Sequence, residues 1–583
     1  MLNAEIRLTN IKTEREITMK KRIIAMLLLV VMIATACLTL TSCGEEEDDR
    51  LHITFYHTMG ENLRKVLNEY VKQFEALYPE YKIDHEQIGG YDDVRDQIAT
   101  EITAGKQPNI AYCYPDHVAL YNLALAVKTL DGYIDSKETV TRADGSTEIL
   151  GLTDEQKADF IQAYYEEGRQ FGDGLMYTMP LSKSTEVLYY NKTFFDVAKA
   201  IYTSDIELDI NGKPTPVYET DAEGNVLKDD KGNNVIAYEK DANGEYILDD
   251  KGAKIPKTNP NPNKGNSMYD LFIPTDWDEM KLICQRIIAI ENDRLTEKQK
   301  TAEGVTFITD ENGYKIYVDK DGKKIAQVIP LGYDSESNWF ITMCEQMGLP
   351  YTSATGEKFL FNTADHHAFV EEFRDWYVNG YVTTQEIHGA YTSTLFTAKS
   401  GTKSYMSIGS SAGATHQRPA KDASGNYPFD VGIASIPQYN EEAPKVISQG
   451  PSLCIFEGSE EEMKASWLFV KFLCTNVQFQ ADFSRESGYV PVIKSVDTDP
   501  IYSDFLANAN GGDNIAALSV KVCLEQEDYY YTSPAFNGSS KARDEVGKLI
   551  QSCFKISKEV SDVPAEIKKL FDKAISECKY HAQ

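Results

Sequence analysis

A serine pair flanked by glycines is the pattern in this sequence that most directly suggests covalent chemistry. Residues 409–413 read Gly-Ser-Ser-Ala-Gly and fit G-x-S-x-G, the nucleophile elbow of α/β-hydrolases. In those enzymes an Asp or Glu and then a His follow later in the chain, because the serine needs a general base. The downstream histidines are His416, almost adjacent, and His581, in the polar C-terminal tail. Neither suits that order, so the sequence favours a tight loop over a hydrolase site.

Two other clusters contain residue types that bind metal ions. His367 and Glu371 are one helical turn apart, but no third ligand is evident, and a solvated helix face is favoured. Residues 319–322, Asp-Lys-Asp-Gly, lack the spaced ligands and closing Glu of a calcium loop and indicate a hairpin turn. Among 90 acidic residues no facing pair can be singled out as a glycosidase site. No phosphate-binding glycine loop is present. We therefore predict no metal and no cofactor.

The N-terminal residues carry the pattern of an export signal. A basic cluster, Met19–Arg22, precedes an apolar run of 18 residues, Ile23–Leu40. This length is the lower edge of a membrane span, so an uncleaved anchor is the alternative. The following Leu-Thr-Ser-Cys ending resembles the bacterial lipobox, which implies that residues 1–42 are a signal peptide and that Cys43 carries the lipid. Residues 43–50 are then an acidic linker, and the protein is extracytoplasmic and anchored to the cell membrane.

Size, charge and cysteine spacing narrow the class of protein. The 541 residues after residue 42 are enough for two or more domains, each with its own core. A formal net charge of −31 argues against nucleic acid and anionic lipid headgroups as partners. The eight cysteines after Cys43 are far apart and form no C-x-x-C pair. Their spacing favours buried free thiols over disulfides and excludes zinc and redox motifs.

Strand and helix patterns alternate after residue 50. We predict strands at 51–56, 81–88 and 109–114, separated by helices at 63–77 and 92–103. This order predicts parallel βαβ units and therefore an α/β fold class. After residue 329 the same alternation resumes. Helices are predicted there at 338–347, 364–378, 459–475 and 541–573, and strands near 404–408, 429–435 and 452–456.

Two polar stretches interrupt this alternation. Residues 203–265 and 301–328 are rich in Asp, Gly, Lys and Asn. Within the first stretch, Tyr218–Gly224 and Tyr238–Gly244 are related segments with an offset of 20 residues. Asn-Gly and Asp-Gly between short alternating segments are typical of β-hairpins. We therefore predict that both stretches are β-hairpin insertions.

Four stretches, taken together and in order, carry a resemblance to a known family. They are Ile53-Thr-Phe-Tyr-His-Thr-Met59, Pro180–Lys192, Met406–Gly413, and Trp467–Phe472 leading to Ser487–Val492. With these stretches behind a lipobox, the chain resembles a family 1 extracellular solute-binding protein, the substrate-capturing subunit of an ABC importer. The resemblance covers nearly all of residues 51–575 apart from the hairpin insertions.

The resemblance implies a two-lobed periplasmic-binding-protein fold, type II-like, with hinge crossings between the lobes. We expect lobe 1 to comprise residues 51–180 and 434–500, and lobe 2 to comprise residues 181–433 and 501–583 with both insertions. In such a protein the lobes close over a small-molecule solute without changing any covalent bond in it, and importer permease subunits recognise the closed form. We expect a monomer. Presentation of the ligand to a membrane sensor is an alternative that the sequence leaves open.

Within this family the chain most resembles the glycerol-3-phosphate-binding branch. Trp339 falls where that branch places an aromatic residue near its ligand. The acidic residue that the branch has after Tyr114 is Pro115 here, with Asp116 one place later. The phosphate-binding Arg of the branch is missing from residues 534–538, Pro-Ala-Phe-Asn-Gly. The branch's other ligand residues correspond to Tyr91, Ser184, Ser410 or Ser411, Gly450 and Tyr489.

The missing arginine determines which ligand class we favour. A guanidinium would be the strongest anion contact available, whereas an aromatic residue in its place suits the apolar face of a sugar. We therefore favour a carbohydrate, either a sugar or an oligosaccharide, over glycerol 3-phosphate or a related phosphorylated polyol. The residues that would stack on the sugar are Tyr91, Trp339, Tyr489 and Phe536, with core or hinge packing as the alternative for each. The residues that would hydrogen-bond its hydroxyls are Asp116, Ser184, Glu186, Ser410 and Ser411.

Overall fold

The computed structural model of the chain describes residues 48–582. The predicted signal peptide, the lipid site Cys43 and most of the linker 43–50 lie outside the described residues. From His52 onward the chain forms one unit. Within the described part, no helix combines the length and the apolar composition that crossing a bilayer would require.

The strands follow the alternation predicted from the sequence. They are β1 Leu51–His57, β2 Tyr81–Gln87, β3 Ile110–Cys113, β4 Thr139–Thr141, β5 Thr147–Ile149, β6 Met179–Pro180, β7 Glu186–Asn191, β8 Thr306–Thr309, β9 Lys315–Val318, β10 Leu331–Tyr333, β11 Val382–Thr384, β12 Met406–Ser410, β13 Val431–Ser435, β14 Val446–Ile447, β15 Ser452–Ile455 and β16 Tyr530–Tyr531.

The α-helices cover the sheets that these strands form. They are Glu61–Leu77, Tyr91–Ala104, Pro115–Tyr121, Asp131–Ile134, Asp154–Asp159, Gln162–Glu166, Lys192–Thr203, Trp277–Asp293, Glu297–Lys300, Glu336–Met347, Ala364–Val378, Gln385–His388, Ser393–Phe396, Glu460–Thr475, Val477–Ser487, Pro500–Ala507, Ile515–Glu525, Ser539–Phe554 and Val563–His581.

Two five-stranded sheets organise the fold. Sheet 1 has the order β2-β1-β3-β15-β6, and sheet 2 has the order β11-β10-β12-β7-β13. In sheet 1, β1 and β3 are parallel, and β15 is antiparallel to β3 and β6. In sheet 2, β10 is parallel to β11 and β12, whereas β7 is antiparallel to β12 and β13. We call the parts of the molecule built on these sheets lobe 1 and lobe 2. The predicted α/β class is confirmed.

Each sheet is buried by helices, which explains its apolar strands. All four residues of β3 are buried, as expected for a strand covered on both faces. In lobe 2 a core cluster of aromatic and aliphatic side chains joins sheet 2 to its helices. All eight cysteines after Cys43 are buried and unpaired, which confirms the prediction of free thiols.

Chain segments cross between the lobes side by side, joined by backbone hydrogen bonds. Residues 181–185 connect β6 of sheet 1 to β7 of sheet 2, and residues 436–451 connect β13 back to β15. Ser184 N donates to Gln449 O at 2.9 Å, and Gln449 N donates to Ser184 O at 2.8 Å. Lys183 exchanges the same pair of bonds with Val490, at 3.0 and 2.6 Å. These bonds hold the crossings in register where the two lobes meet.

The C-terminal helical region differs from the sequence-based expectation. The single helix predicted at 541–573 is two helices, Ser539–Phe554 and Val563–His581. Asp562 caps the second helix, because its side chain accepts a hydrogen bond from Ala565 N at 3.0 Å. Pro564 lies in the first turn of that helix and has no N–H to continue the preceding one. The apolar periodicity continues through both helices and hid this break.

The two polar stretches are built from one repeated turn. In each copy an Asp Oδ1 accepts the backbone N–H groups two and four residues later, and a glycine three residues later has a positive φ of 75–86°. The carboxylate therefore takes the place of backbone carbonyl acceptors within the turn. The left-handed conformation at the fourth residue of the turn favours glycine. Asp319 has this role, so its carboxylate belongs to a turn. The turns begin at Asp209, Asp221, Asp229, Asp241, Asp249, Asp310 and Asp319.

Backbone hydrogen bonds link the short segments between these turns in groups of three, each group forming a closed cycle of bonds. Glu219 N donates to Val235 O, Val235 N donates to Leu227 O, and Leu227 N donates to Glu219 O, at 2.8–2.9 Å. The same cycle recurs 20 residues later, at 239, 247 and 255. The sequence repeat therefore corresponds to a structural repeat in which three short segments, connected by two turns, associate.

Candidate functional site

A cavity of about 70 Å³ lies where the crossing segments meet the two lobes. The helix Pro115–Tyr121, which follows β3, forms its lobe 1 side. The helices Glu336–Met347 and Ser539–Phe554 contribute Ile341 and Arg543 from lobe 2. Residues 447–449 and 532–534 complete the wall beside the paired strands β14 and β16. The cavity is thus assembled from segments more than 400 residues apart in the sequence.

Hydroxyl groups without partners line this cavity. The hydroxyl oxygens of four lining residues are buried and make no hydrogen bond to any described residue: Tyr351, Thr352, Ser448 and Ser533. A buried polar group without a partner costs about 1–3 kcal/mol, so such groups mark positions where a ligand or water completes the hydrogen bonding. The cavity therefore offers several donors and acceptors to a small polar molecule.

A carboxylate without a partner among the described residues and an aromatic ring stand on the lobe 1 side of the cavity. Asp116 lies in the first turn of the helix Pro115–Tyr121, and within the described chain its carboxylate forms neither a side-chain hydrogen bond nor an ion pair. The ring of Tyr114 lines the cavity and stacks on Tyr91, with centroids 4.5 Å apart and planes 22° apart. Asp116 can accept hydrogen bonds, and Tyr114 presents a ring to an apolar face.

A buried ion pair connects the cavity to the crossing segments. Glu167 lines the cavity, and its carboxylate contacts the Lys183 ammonium, with both side chains buried. Lys183 also donates to Ser452 Oγ at 3.1 Å and to Gly450 O at 3.5 Å. Burial raises the pKa of Glu167, although Lys183 opposes that shift. The pair therefore fixes the first crossing segment against the floor of the cavity.

A hydrogen-bonded network extends from the cavity into lobe 2. Arg543 lines the cavity and donates to Asn338 Oδ1, which also accepts from Gln449 Nε2 at 3.1 Å. Asn338 Nδ2 donates to Glu186 Oε1 at 3.0 Å, and Tyr333 Oη donates to Glu186 Oε2 at 2.7 Å. Burial raises the pKa of Glu186 to about 7, which its two hydrogen bonds and Arg543 partly oppose. Glu186 thus orients Asn338, and Asn338 orients Arg543.

The raised pKa of Glu186 predicts a pH-dependent stability. A folded-state pKa of about 7 against an ordinary 4.5 stabilises the fold below pH 4.5, and this contribution is lost as the pH rises through 7. The loss corresponds to about 3 kcal/mol. Relative to Glu186→Gln, the unsubstituted protein should therefore lose about 3 kcal/mol of unfolding free energy between pH 4.5 and 8. Urea unfolding at both pH values measures this difference. Glu460→Gln, which replaces an exposed carboxylate, is the control. An unfolding free energy that changes equally with pH in the unsubstituted protein and in Glu186→Gln would contradict the prediction.

The lobes contact each other at the rim of the cavity. Arg95, in the lobe 1 helix Tyr91–Ala104, donates to Ser540 Oγ at 3.0 Å. Its Nη1 also lies 3.6 Å from Asp544 Oδ1, in the same lobe 2 helix as Arg543. The described conformation is therefore one in which lobe 1 and lobe 2 touch across the cavity.

Comparison with known proteins decides the family. Residues 69–509 match the bacterial extracellular solute-binding protein family. The chain belongs to this family. The sn-glycerol-3-phosphate-binding periplasmic protein UgpB of Escherichia coli K12 is 28% identical over 146 residues, which is 25% of this chain. The chain spans 30% of the length of that relative.

Solved structures of other proteins align with this solute-binding protein over most of its length. UgpB from Mycobacterium tuberculosis, in complex with glycerophosphocholine, aligns with a TM-score of 0.56 at 15% identity over 91% of this chain and 99% of that one. Maltose-bound MalE3 from T. maritima aligns with a TM-score of 0.55 at 13% identity over 91% and 99%. These alignments confirm the two-lobed periplasmic-binding-protein fold expected from the sequence.

Among the ten ligand residues predicted for this solute-binding protein, Asp116 is the one that lines the cavity. Tyr91 stacks directly behind Tyr114, and its own hydroxyl is buried without a partner. Tyr489 stacks on Phe483, with ring centroids 6.0 Å apart. Burial raises the pKa of Tyr91, and Tyr489 adds to this shift because it lies beside that residue. Tyr91 and Tyr489 therefore support the aromatic wall from behind.

Three predicted residues belong to the crossing segments and their contacts. Ser184 pairs with Gln449 through its backbone, as described above. Gly450 has a φ of +96°, and a Cβ there would lie 2.6 Å from Ser182 O, so no side chain fits between the crossings. Glu186 contacts Asn338, which in turn contacts the lining residues Gln449 and Arg543.

The serine loop does not reach the cavity. Ser410 Oγ accepts a hydrogen bond from Ala412 N at 3.3 Å, and this bond shapes the turn after β12. Ser411 is fully buried, and its Oγ accepts from Thr185 N at 3.3 Å. Ser411 thus holds the loop against the first crossing segment, Ser410 shapes its turn, and neither side chain lines the cavity. The G-x-S-x-G pattern is thus a loop motif here.

Two predicted aromatic contacts are core residues. Trp339 is 1% exposed, stacks on Tyr333 with centroids 4.9 Å apart, and packs against Phe373 at 4.2 Å. Phe536 is buried against Phe359, with centroids 5.9 Å apart. Both positions match the core packing given as the alternative for each residue, since large apolar rings are driven into the lobe 2 core by the area they bury.

The histidine cluster also has a structural role. His366 Nδ1 pairs with Thr363 Oγ1 at 2.7 Å at the start of its helix, and His367 Nε2 pairs with Asn362 Oδ1 at 2.8 Å. Across residues 48–582 no group of three or more His, Cys, Asp or Glu side chains is placed to hold a metal ion.

Sequence reasoning missed most of the cavity residues. Arg543 supplies a guanidinium to the cavity, although the phosphate-binding Arg of the family branch is missing from residues 534–538. Its position in a helix between Lys541 and Asp544 resembles an ordinary solvated face, so no local signal marked it. The missed lining residues with polar side chains are Tyr114, Glu167, Tyr351, Thr352, Ser448, Gln449, Thr532, Ser533, Ser539 and Arg543.

Proposed function

We propose that this protein is the substrate-binding lipoprotein of an ABC importer and that it captures a carbohydrate, a sugar or oligosaccharide, between its lobes. The observation that carries the proposal is the set of four unpartnered hydroxyls facing one cavity beside Asp116 and the Tyr114 ring. Sugars combine several hydroxyls with an apolar face, so a polar wall opposite an aromatic ring fits them. The maltose bound by MalE3 is a ligand of this chemical class.

The charges of the cavity favour a neutral ligand over an anion. Asp116 is a carboxylate without a cationic partner among the described residues, and it would repel a phosphate. Arg543 is the lining guanidinium, and it already donates to Asn338. The ammonium of Lys183 is neutralised by Glu167.

Binding of glycerol 3-phosphate or a related phosphorylated polyol is the second candidate function. Arg543 is the observation that favours it, because a guanidinium has five donors and one contact to Asn338 leaves others available. The sequence match to UgpB of E. coli points in the same direction. Under this alternative the phosphate would lie against Arg543 and the glycerol hydroxyls against the unpartnered serines.

Capture requires the lobes to separate and close. A cavity of about 70 Å³ is far below the roughly 300–1,000 Å³ of typical small-molecule sites, so ligand enters a more open form. We propose that lobe 1 is residues 51–180 and 434–500, that lobe 2 is residues 181–433 and 501–583, and that motion occurs at the crossings. A permease would recognise the closed form. The ligand favours the closed form only through contacts that it makes there and not in the open form. We propose that one monomer binds one solute.

A ligand panel tests the proposal. Thermal unfolding of the purified protein with maltose, maltotriose, sn-glycerol 3-phosphate and glycerophosphocholine should show stabilisation by a sugar. A ligand at 100 times its Kd adds about 2.7 kcal/mol of stability. Stabilisation by the two phosphate esters alone would establish the second candidate instead, and no stabilisation by a broader glycan panel would contradict carbohydrate capture.

Attachment to the membrane through Cys43 is a separate proposal, based on the lipobox-like ending of the signal. Cys43→Ala should move the protein from the membrane to the soluble fraction, because the lipid is the anchor. Cys37→Ala is the matched control, since Cys37 lies six residues earlier inside the apolar run and should not change the distribution. Cell fractionation with metabolic acyl labelling measures both. Membrane retention and labelling of the Cys43 variant would contradict lipidation there.

A further inference from the structure

A second cavity, of about 490 Å³, lies in lobe 2 under the hairpin β8–β9. The hairpin covers one side of it, and the helices Trp277–Asp293 and Ala364–Val378 form two other sides. Its floor is apolar, with Ile288, Ile316 and Val318, and Tyr381 lies beside them. None of its lining residues belongs to the cavity between the lobes. The second insertion predicted from the sequence therefore builds a wall of a distinct cavity.

Donor groups without matching acceptors face this cavity. Trp376 is 1% exposed. Its indole N–H lies beside Glu372 and has no hydrogen-bond partner among the described residues. Lys324 donates to the Asn379 carbonyl, and its ammonium lies 5.7 Å from the centroid of the Tyr381 ring. Within the described residues neither Lys324 nor the neighbouring Lys558 has a carboxylate in ion-pair range. Lys324 and Lys558 therefore line the cavity without an ion pair, and Asp310 is the carboxylate that acts on Lys324 from a greater distance.

The carboxylates of the same cavity are mostly engaged elsewhere. Glu311 lies 3.7 Å from Lys281, and Asp375 accepts from Arg374 at 2.9 Å. Asp310 Oδ1 accepts two backbone N–H groups of its own turn, at 3.0 and 2.8 Å. Glu372 is the remaining one, and burial raises its pKa. Lys281 is thus paired with Glu311, whereas Lys324 and Lys558 are the lining lysines that an added acidic group could contact.

We propose that this cavity is a second binding site, for a small organic anion whose acidic group lies between Lys324 and Lys558 and whose body covers the apolar floor. A carboxylate or phosphate would accept charge-assisted hydrogen bonds from the lysines and from the Trp376 N–H. The apolar floor and the Tyr381 ring suit a sugar ring or a similar compact body. A sugar acid combines both features. This site is independent of the function proposed for the cavity between the lobes.

Calorimetric titration of the full-length protein in detergent with glucuronate tests the site, with glucose as the neutral counterpart. The Asp116→Ala background removes the contribution expected from the first cavity. Glucuronate should bind, glucose should not, and Lys324→Met should weaken glucuronate binding at least tenfold. Glu372→Gln should strengthen binding, because it removes the remaining opposing charge. Lys315→Met, which replaces an exposed lysine of the same hairpin outside the cavity, should change nothing.

The variants also separate binding from folding. Lys558 is exposed, so Lys558→Met should keep the fold and weaken glucuronate binding several-fold even if Lys324→Met is unstable. Absence of glucuronate binding would overturn the proposal. Equal binding of glucose, or affinities unchanged in both Lys324→Met and Lys558→Met, would also overturn it.

Discussion

Asp116→Ala is expected to weaken solute binding at least a hundredfold and to leave the stability of the protein unchanged. The carboxylate lines the cavity and has no hydrogen bond or ion pair to another described side chain, so the fold does not depend on it. A carboxylate that accepts two hydroxyls of a ligand contributes about 1.5–3 kcal/mol for each charged hydrogen bond. Losing both therefore costs more than two powers of ten in Kd.

Calorimetric titration with the ligand identified by thermal unfolding measures this loss. Asp154→Ala is the matched control, because Asp154 also lies in the first turn of a helix, is exposed and does not line the cavity. The control removes the same charge near a helix N-terminus, so it accounts for any general electrostatic effect. A loss of less than tenfold for Asp116→Ala, or an equal loss for Asp154→Ala, would remove Asp116 from the binding site.

Lys183→Met is expected to lower the free energy of unfolding by about 3–5 kcal/mol, because it leaves Glu167 buried without its counter-charge. The pKa of Glu167 is already raised by burial, and removal of Lys183 raises it further. A raised carboxyl pKa stabilises the fold at low pH and loses that contribution as the pH increases through it. The deficit of the variant should therefore be smaller at pH 5 than at pH 8.

Urea unfolding of Lys183→Met, Glu167→Gln and the double variant separates the ion pair from the packing. The double variant should recover most of the loss, since it replaces the pair by two neutral groups of similar size. Lys192→Met is the control, because Lys192 and Asp196 form an exposed pair that contributes about 0.5 kcal/mol or less. A double variant no more stable than Lys183→Met would contradict the ion-pair explanation.

The sheets could be predicted from the sequence because their signals are local. Alternating residues predicted β1 and β2, and the apolar residues of β3 form a buried strand between turn residues. The helix Glu61–Leu77 likewise has a clear apolar stripe, with Leu67, Tyr70 and Phe74 buried. These elements face one core, so periodicity and burial agree.

The cavity could not be predicted in the same way, because it forms from non-local contacts. Ser448 and Ser533 lie in short connections that carry no periodic pattern, and they meet through the pairing of β14 with β16. Asp116 was found because the family resemblance drew attention to the end of β3. Arg543 was missed because one helical face that meets the other lobe has the composition of a solvated surface.

Trp339 is a second case in which the sequence did not determine where a side chain lies. The resemblance placed an aromatic residue of the site there, and an aromatic side chain suits a sugar. The helix Glu336–Met347, however, is buried on nearly all sides, so its sequence has no exposed face from which the direction of Trp339 could be inferred. The tertiary packing of sheet 2 and the C-terminal helices decides that the indole joins the core.

A crystal structure of the protein with the sugar that stabilises it tests the central claim most directly. The account predicts one sugar in the cavity between the lobes, with its hydroxyls within hydrogen-bond distance of Asp116 and of Ser448 or Ser533, and with a ring face against Tyr114. A sugar bound outside this cavity, with Asp116 and the serines still unpartnered, would contradict the account.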